Sequence, residues 1–70
     1  MNEPVVIANG QAVTATHLPC TLEEFLLARG LRPRSVVVEQ NGQAVAPSEF
    51  TQRVVRAGDR LEIVQIVAGG

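Results

Sequence analysis

The residues best suited to chemistry stand at the C-terminal end of the chain, where Gly69 and Gly70 follow an apolar stretch. Glycines lack a Cβ atom, so this pair fits a narrow channel and adopts backbone angles that other residues avoid. A terminal carboxylate has a pKa of roughly 3.5, so it is ionised at neutral pH and able to attack an electrophile. We therefore expect Gly70 to be reactive and to end the chain, with Ala68 and Gly69 threading into another enzyme's active site. The alternative, a frayed terminus, predicts polar linker residues before the glycines.

A second chemical candidate is a nucleophilic pair, because His17 and Cys20 lie three residues apart in a predicted loop. Such a pair is defined by its geometry and by a third, orienting group, and this spacing specifies neither. Cys20 also precedes a predicted helix N-terminus, a position that lowers a thiol pKa. We interpret both residues as bystanders and predict that the chain is not an enzyme, with Cys20 kept as a candidate reactive thiol.

Length and composition exclude several classes of function. The chain has 70 residues, of which 46% are apolar and 19% charged, which is typical of one globular domain. A net charge of −1 supplies no basic stripe for nucleic acid, and the apolar runs are too short to cross a membrane. All six basic residues are Arg, so no side-chain amine is present for Schiff-base chemistry. One Cys and one His cannot supply the four ligands of a structural zinc site.

The expected location is the cytoplasm. The first residues contain no basic segment followed by a long apolar one, so we expect no secretory signal. The single cysteine, which cannot form an internal disulfide, agrees with a reducing compartment. We expect residues 1–70 to form one domain with a flexible tail at residues 68–70.

Two β-hairpins are predicted by the two Asn-Gly pairs of the chain. Residues 4–15 and 35–45 each contain two short β-prone runs, joined by Asn9-Gly10 and by Asn41-Gly42 respectively. A type I′ turn needs positive φ at both central residues, which Asn and Gly tolerate best. After the second hairpin, one helical turn is expected near Pro47, capped by Ser48.

One amphipathic helix is predicted over about residues 21–30. Thr21 and Glu24 form a capping-box pattern at its start, and Gly30 stands where a left-handed residue ends a helix. The residues before this helix, 16–20, are predicted to be a loop. The apolar stripe of the helix consists of Leu22, Phe25 and Leu26.

The last predicted strand, residues 61–67, is apolar on both faces apart from Glu62 and Gln65. A strand of this kind usually lies in the centre of a sheet. The element order of hairpin, helix, hairpin and central strand predicts an α+β fold of the β-grasp (ubiquitin-like) type, with a mixed four- to five-stranded sheet and one main helix. One helix covers one face, so we expect part of the other face, near residues 62–67, to remain exposed and to bind a partner.

The chain resembles the ThiS family of sulfur carrier proteins over residues 5–70. The matching segments are residues 21–27 (TLEEFLL), 36–42 (VVVEQNG) and 46–47 (AP), with Phe50 shortly after. The most specific is residues 57–70 (AGDRLEIVQIVAGG), a Gly-Asp turn, one apolar strand and a Gly-Gly end. Many members carry a basic residue where this chain has Ser48, a difference that bears on a partner contact.

This resemblance implies a role in the thiazole branch of thiamine biosynthesis. An E1-like enzyme, ThiF, would use ATP and magnesium to adenylate Gly70. Sulfur from cysteine, supplied through a desulfurase, would convert the adenylate into a thiocarboxylate. Thiazole synthase, ThiG, would accept that sulfur, and the carrier itself would hold no cofactor. We further predict that Glu62, Val64 and Ile66 dock on the adenylating enzyme.

Three alternatives share this tail. The small subunit of molybdopterin synthase, MoaD, is also a β-grasp carrier of a thiocarboxylate, and it would co-purify with a different large subunit. A protein modifier would join Gly70 to lysines of other proteins and give ladders of higher mass. An inert β-grasp interaction module would keep its binding after deletion of Gly69 and Gly70.

Overall fold

Seven strands and one α-helix follow one another in the computed structural model, which describes residues 4–15 and 17–66. Two short 3₁₀ helices, Pro33–Ser35 and Pro47–Glu49, complete the described elements. In chain order, the strands and the helix are β1 (Val5–Ala8), β2 (Gln11–Thr14), β3 (Cys20–Thr21), α1 (Leu22–Ala28), β4 (Val36–Gln40), β5 (Gln43–Val45), β6 (Val54–Val55) and β7 (Arg60–Gln65).

Both predicted hairpins are confirmed. Strands β1 and β2 pair antiparallel around Asn9-Gly10, and β4 and β5 pair antiparallel around Asn41-Gly42. The two asparagines have φ values of 51° and 52°, and the glycines that follow them have 81° and 84°. These are the positive angles that a type I′ turn requires, which is why the Asn-Gly pairs predicted the turns correctly.

The predicted helix is confirmed with a slightly shorter span. Thr21 caps α1: its hydroxyl accepts from the Glu24 amide at 3.0 Å, and the Glu24 carboxylate accepts from the Thr21 amide at 2.8 Å. The next free helical amides, those of Leu22 and Glu23, donate to the carbonyls of Arg53 and Phe50. The segment after the second 3₁₀ helix therefore completes the cap of α1.

A mixed five-stranded sheet in the order β2-β1-β7-β4-β5 forms the body of the protein. Strand β7 runs parallel to β1 and antiparallel to β4, so the predicted central position of the last strand is confirmed. The helix α1 packs on one side, here called the inner face of the sheet. The opposite side, the outer face, has no helix of the described residues over it.

The core lies between the inner face and α1. All three residues of the predicted helical stripe are buried, and Leu61 and Ile63 contribute the inner side of β7. The aromatic ring of Phe50, only 1% exposed, belongs to the same cluster. The cluster comprises Val6, Leu22, Phe25, Leu26, Val36, Val38, Val45, Phe50, Val55, Leu61 and Ile63.

Two local predictions were wrong. Cys20 does not lie in a loop, because β3 pairs antiparallel with β6, placing Cys20 opposite Val55 in a separate two-stranded sheet. Ser48 does not cap the turn that follows the second hairpin. That 3₁₀ helix begins with Pro47, its N-cap residue is Ala46, and no side chain bonds to its first amides. Proline already fixes φ at this position and has no amide that needs a cap.

The turn before β7 is held by the carboxylate of Asp59. It accepts from the Arg56 amide at 2.9 Å, from Gln40 Nε2 at 3.0 Å and from Asn41 Nδ2 at 3.2 Å. Partial burial alone would raise the pKa of Asp59, but these hydrogen bonds and the Arg56 charge outweigh it, so the pKa lies below its ordinary value. The ionised carboxylate therefore connects the second hairpin to the start of the central strand.

We expect the stability of the protein to fall as pH drops below about 4, the ordinary pKa of Asp. The folded-state pKa of Asp59 is depressed, so its contribution is present above the unfolded-state pKa and disappears as pH falls through the folded-state pKa. Asp59→Asn should be less stable at neutral pH and should lose less stability on acidification. Urea unfolding between pH 7 and pH 3 measures both effects. Equal pH dependence in the two proteins would contradict this role of Asp59.

Candidate functional site

The candidate site is the end of β7 and the tail that follows it. The three tail residues predicted to react or to thread, Ala68, Gly69 and Gly70, lie outside the described residues, and their roles stay predictions. The described chain reaches Ile66, whose amide donates to the carbonyl of Ser35 at 2.7 Å. On its β4 side, the central strand is thus hydrogen-bonded up to Ile66, two residues before the predicted tail.

Two asparagine side chains hold β7 in place. Asn9 Oδ1 accepts from the Ile63 amide at 2.7 Å, and Asn9 Nδ2 donates to the Ile63 carbonyl at 3.0 Å. On the other side of the strand, Asn41 Oδ1 accepts from the Arg60 amide at 2.9 Å. The sequence identified both asparagines only as turn residues. The sequence feature that could have predicted these bonds is the use of Asn in each hairpin turn, because the Asn side chain both donates and accepts hydrogen bonds.

The outer face carries an apolar surface next to the tail. Val64 is 63% exposed and Ile66 53% exposed, and Val37, the cross-strand partner of Val64, is 54% exposed. The expected exposure on this face is therefore found, while Leu61 and Ile63 point to the core. That a partner docks on Val64 and Ile66 stays a prediction. We call the exposed set of Val37, Glu39, Glu62, Val64 and Ile66 the outer patch.

The outer patch also contains an acidic pair. Glu39 and Glu62 face each other directly across β4 and β7, and both are exposed. Like charges in directly opposite positions destabilise a sheet, so this arrangement has a local cost. With the valines beside it, the pair gives the patch an apolar end near the tail and an acidic end farther away. A partner surface with an apolar and a basic region complements it.

The second chemical candidate does not assemble a catalytic site. Cys20 and His17 line one open groove of about 550 Å³, but no hydrogen bond joins them in the described structure. Burial, followed by the nearby Glu24 carboxylate, raises the pKa of the Cys20 thiol, so the expected lowering by the helix N-terminus was wrong. Glu24 is itself engaged in the cap of α1. The structure therefore shows no feature that activates the Cys20 thiol as a nucleophile.

Residues 4–15 and 17–66 contain neither a cluster of metal ligands nor a membrane-spanning helix. No group of three His, Cys, Asp or Glu side chains lies close enough to hold a metal ion within these ranges. No helix in the same ranges has the length and apolar character needed to cross a membrane.

Comparison with known proteins gives the family. The sequence model of the ThiS family matches residues 5–70. The chain belongs to the ThiS family. The match includes Gly69 and Gly70, so the tail identified by its chemistry lies within the family's boundaries.

A solved structure supports the ThiS assignment and the fold. The crystal structure of thiamine biosynthesis protein ThiS from Geobacter metallireducens superposes with a TM-score of 0.81 at 26% sequence identity. The alignment covers 94% of this chain and 99% of the other. The β-grasp architecture predicted from the order of elements is confirmed.

A second ThiS-like segment occurs in a larger protein. Thiazole synthase from Paramagnetospirillum magneticum (strain ATCC 700264 / AMB-1) is 42% identical over 50 residues of this chain. These residues are 71% of this chain but only 15% of that protein. The chain therefore spans a small part of this curated relative, which contains a segment similar to it.

Proposed function

We propose that the protein is a sulfur carrier for thiazole formation in thiamine biosynthesis. An adenylating enzyme of the ThiF type, using ATP and magnesium, activates the Gly70 carboxylate as an acyl-adenylate. A desulfurase carries the sulfur of cysteine as a persulfide, whose terminal sulfur displaces AMP and forms an acyl disulfide. A thiol reductant, such as free cysteine, then cleaves this disulfide and leaves the thiocarboxylate. A thiazole synthase of the ThiG type then takes the sulfur. The chain is a protein co-substrate in this scheme, and the cofactors belong to the enzymes that act on it.

The observation that carries the proposal is the anchoring of β7 directly before the Gly-Gly tail. Strand β7 is bonded to β4 on one side and to β1 and Asn9 on the other. A rigid strand gives the tail a fixed starting point, while glycines at its end leave the backbone free to enter a narrow channel. This combination suits a group that is presented to an active site on another protein.

The outer patch is the surface that we propose docks on the adenylating enzyme. Val64 and Ile66 provide an apolar centre within a few residues of the tail, and Glu62 provides a negative charge beside them. Apolar side chains at the centre of an interface supply most of its binding energy, and charges at the rim favour the correct partner. Docking on this patch brings the tail to the enzyme without requiring any movement of the core.

The proposed acceptor of the sulfur is a thiazole synthase. Its support is the relative from Paramagnetospirillum magneticum, because a protein named thiazole synthase contains a segment similar to this chain. A segment in the same polypeptide as its partner has a high effective concentration, so a carrier and its acceptor gain from being joined.

The test of the proposed function is the mass of the tail after reaction. The chain is incubated with the adenylating enzyme, a cysteine desulfurase, cysteine and magnesium-ATP, then digested with trypsin. Cleavage after Arg60 releases residues 61–70, which contain neither Met nor Cys. We expect this peptide to gain the mass of one sulfur-for-oxygen exchange, and the Cys20→Ala variant to gain it equally.

The controls separate the proposed role from its alternatives. A reaction without ATP should leave the peptide unchanged, as should the variant that lacks Gly69 and Gly70. An unchanged peptide in the complete reaction, alongside a known carrier that reacts, would contradict the proposal. If the thiocarboxylate forms but supports molybdopterin synthesis rather than thiazole synthesis, the MoaD-type alternative is correct. Conjugates of higher mass in the native host would indicate a protein modifier.

A further inference from the structure

One edge of β7 is open beside the tail. Strand β1 pairs with β7 only at Arg60 and Leu61, because the chain then turns at Asn9-Gly10. The side chain of Asn9 replaces a continuing strand at one further residue, because it forms hydrogen bonds with both the amide and the carbonyl of Ile63. The next residue on this side of β7 is Gln65, and β1 does not reach it.

The hydrogen-bond pattern of the other edge shows which way Gln65 points. The Asn41 amide donates to the Arg60 carbonyl, and the Ile66 amide donates to the Ser35 carbonyl. Even-numbered residues of β7 therefore bond towards β4, and odd-numbered ones towards β1. The amide and carbonyl of Gln65 consequently face the β1 side, where no hydrogen bond to them is found among residues 4–15 and 17–66. An unpaired strand edge of this kind is a template for another strand.

A cleft runs alongside this edge. It has a volume of about 500 Å³ and lies between the first hairpin turn, the end of β7 and the segment that follows α1. Its one charged lining residue within the described chain is Arg29, whose guanidinium carbon lies 5.9 Å from the centre of the Phe25 ring. The lining residues are Ala8, Asn9, Gln11, Arg29, Leu31, Ile63, Val64 and Gln65. We call this the Gln65 cleft.

We propose that an extended segment of the adenylating enzyme, carrying a carboxylate side chain, pairs with β7 at Gln65 and places that carboxylate on Arg29. Adding a strand to an exposed edge is a known mode of recognition, in which backbone hydrogen bonds give affinity and side-chain pockets give specificity. This inference rests on the proposed function. The pairing at Gln65 is a second contact with the enzyme, in addition to the outer patch, and it lies on the strand edge rather than on the sheet face. It also fixes the direction in which the tail leaves the fold.

Amide hydrogen exchange tests the strand pairing directly. In the free protein, we expect the Gln65 amide to exchange quickly and the Val64 and Ile66 amides, which face β4, to exchange slowly. When the adenylating enzyme is bound, the Gln65 amide should become protected. A Gln65 amide that stays as fast in the complex as in the free chain would overturn the proposal. Protection of the same amide at high concentration of the chain alone would show that a second copy occupies the edge, and would also overturn it.

A proline substitution tests the contribution to affinity. Gln65→Pro removes the amide that points to the open side, so no internal hydrogen bond is lost, whereas Gln65→Ala keeps that amide. Calorimetric titration should show that Gln65→Pro binds the adenylating enzyme at least about tenfold more weakly than Gln65→Ala, because a backbone pair is lost and the ring blocks its replacement. Equal affinities would overturn the proposal.

Substitution of Arg29 tests the charge of the segment. Arg29→Glu should weaken binding about tenfold and Arg29→Lys should change it little, because lysine keeps the charge. If the Glu variant binds as tightly as the Lys variant, the segment does not carry the proposed carboxylate. A wild-type chain that is not adenylated at all would overturn the proposed function and this inference with it. Normal adenylation of the wild type with equal affinity of the two Gln65 variants overturns this inference alone.

Discussion

The Val64→Asp variant is expected to be adenylated about 100-fold more slowly than the wild type, because truncating or charging the centre of an interface removes several kcal/mol of binding energy. Val64 is 63% exposed, so the substitution takes little from the core of the carrier. It does place a third carboxylate on a surface that already holds Glu39 and Glu62, and it removes one of the exposed apolar side chains of that surface. The measurement is ATP–pyrophosphate exchange at subsaturating carrier concentration.

The matched control is Leu27→Asp. Leu27 is 57% exposed, close to the value for Val64, but it lies on α1 and therefore outside the outer patch. It should be adenylated at the wild-type rate, and far-UV circular dichroism should show that both variants are folded. If Val64→Asp reacts as fast as Leu27→Asp, the outer patch is not the docking surface. If both react slowly, the effect comes from added negative charge rather than from a lost contact of the outer patch.

The Phe50→Ala variant is expected to lose about 3–5 kcal/mol of unfolding free energy, the usual cost of removing a fully buried phenylalanine. A chain of this length has only about 4–10 kcal/mol in total, so the variant should lose a large share of its stability and melt at a much lower temperature. Phe50 is 1% exposed, and its carbonyl accepts from the Glu23 amide at the start of α1. The lost ring therefore affects both the core and the segment that caps the helix.

Thermal unfolding followed by far-UV circular dichroism measures this effect, because the chain has no Trp or Tyr to serve as a fluorescent probe. Leu27→Ala is the control, since an exposed leucine should cost no more than about 0.5 kcal/mol. A Phe50→Ala protein with the melting temperature of the control would show that the ring does not support the core. Phe25→Ala, a buried aromatic on α1 itself, gives a second reference of the same residue type.

The sequence by itself determined the local elements and their order. Asn9-Gly10 and Asn41-Gly42 require positive φ, Thr21 and Glu24 form a local capping box, and each is decided within four residues of chain. The apolar residues on both faces of β7 were enough to predict its central position, because strands of this kind usually have a neighbouring strand on each side. The Gly-Gly pair predicted a reactive tail from the chemistry of glycine and a terminal carboxylate, and that role stays a prediction.

Only the tertiary structure decided the features that depend on residues far apart in the chain. Cys20 pairs with Val55, 35 residues away, and Asn9 bonds to Ile63, 54 residues away. Phe50 is buried although no periodic apolar pattern around it predicts this. The raised pKa of Cys20 follows from the same cause, since burial and the nearby Glu24 carboxylate both raise it. Local patterns fix backbone conformation, whereas burial, charge environment and open strand edges are set by which segments meet in space.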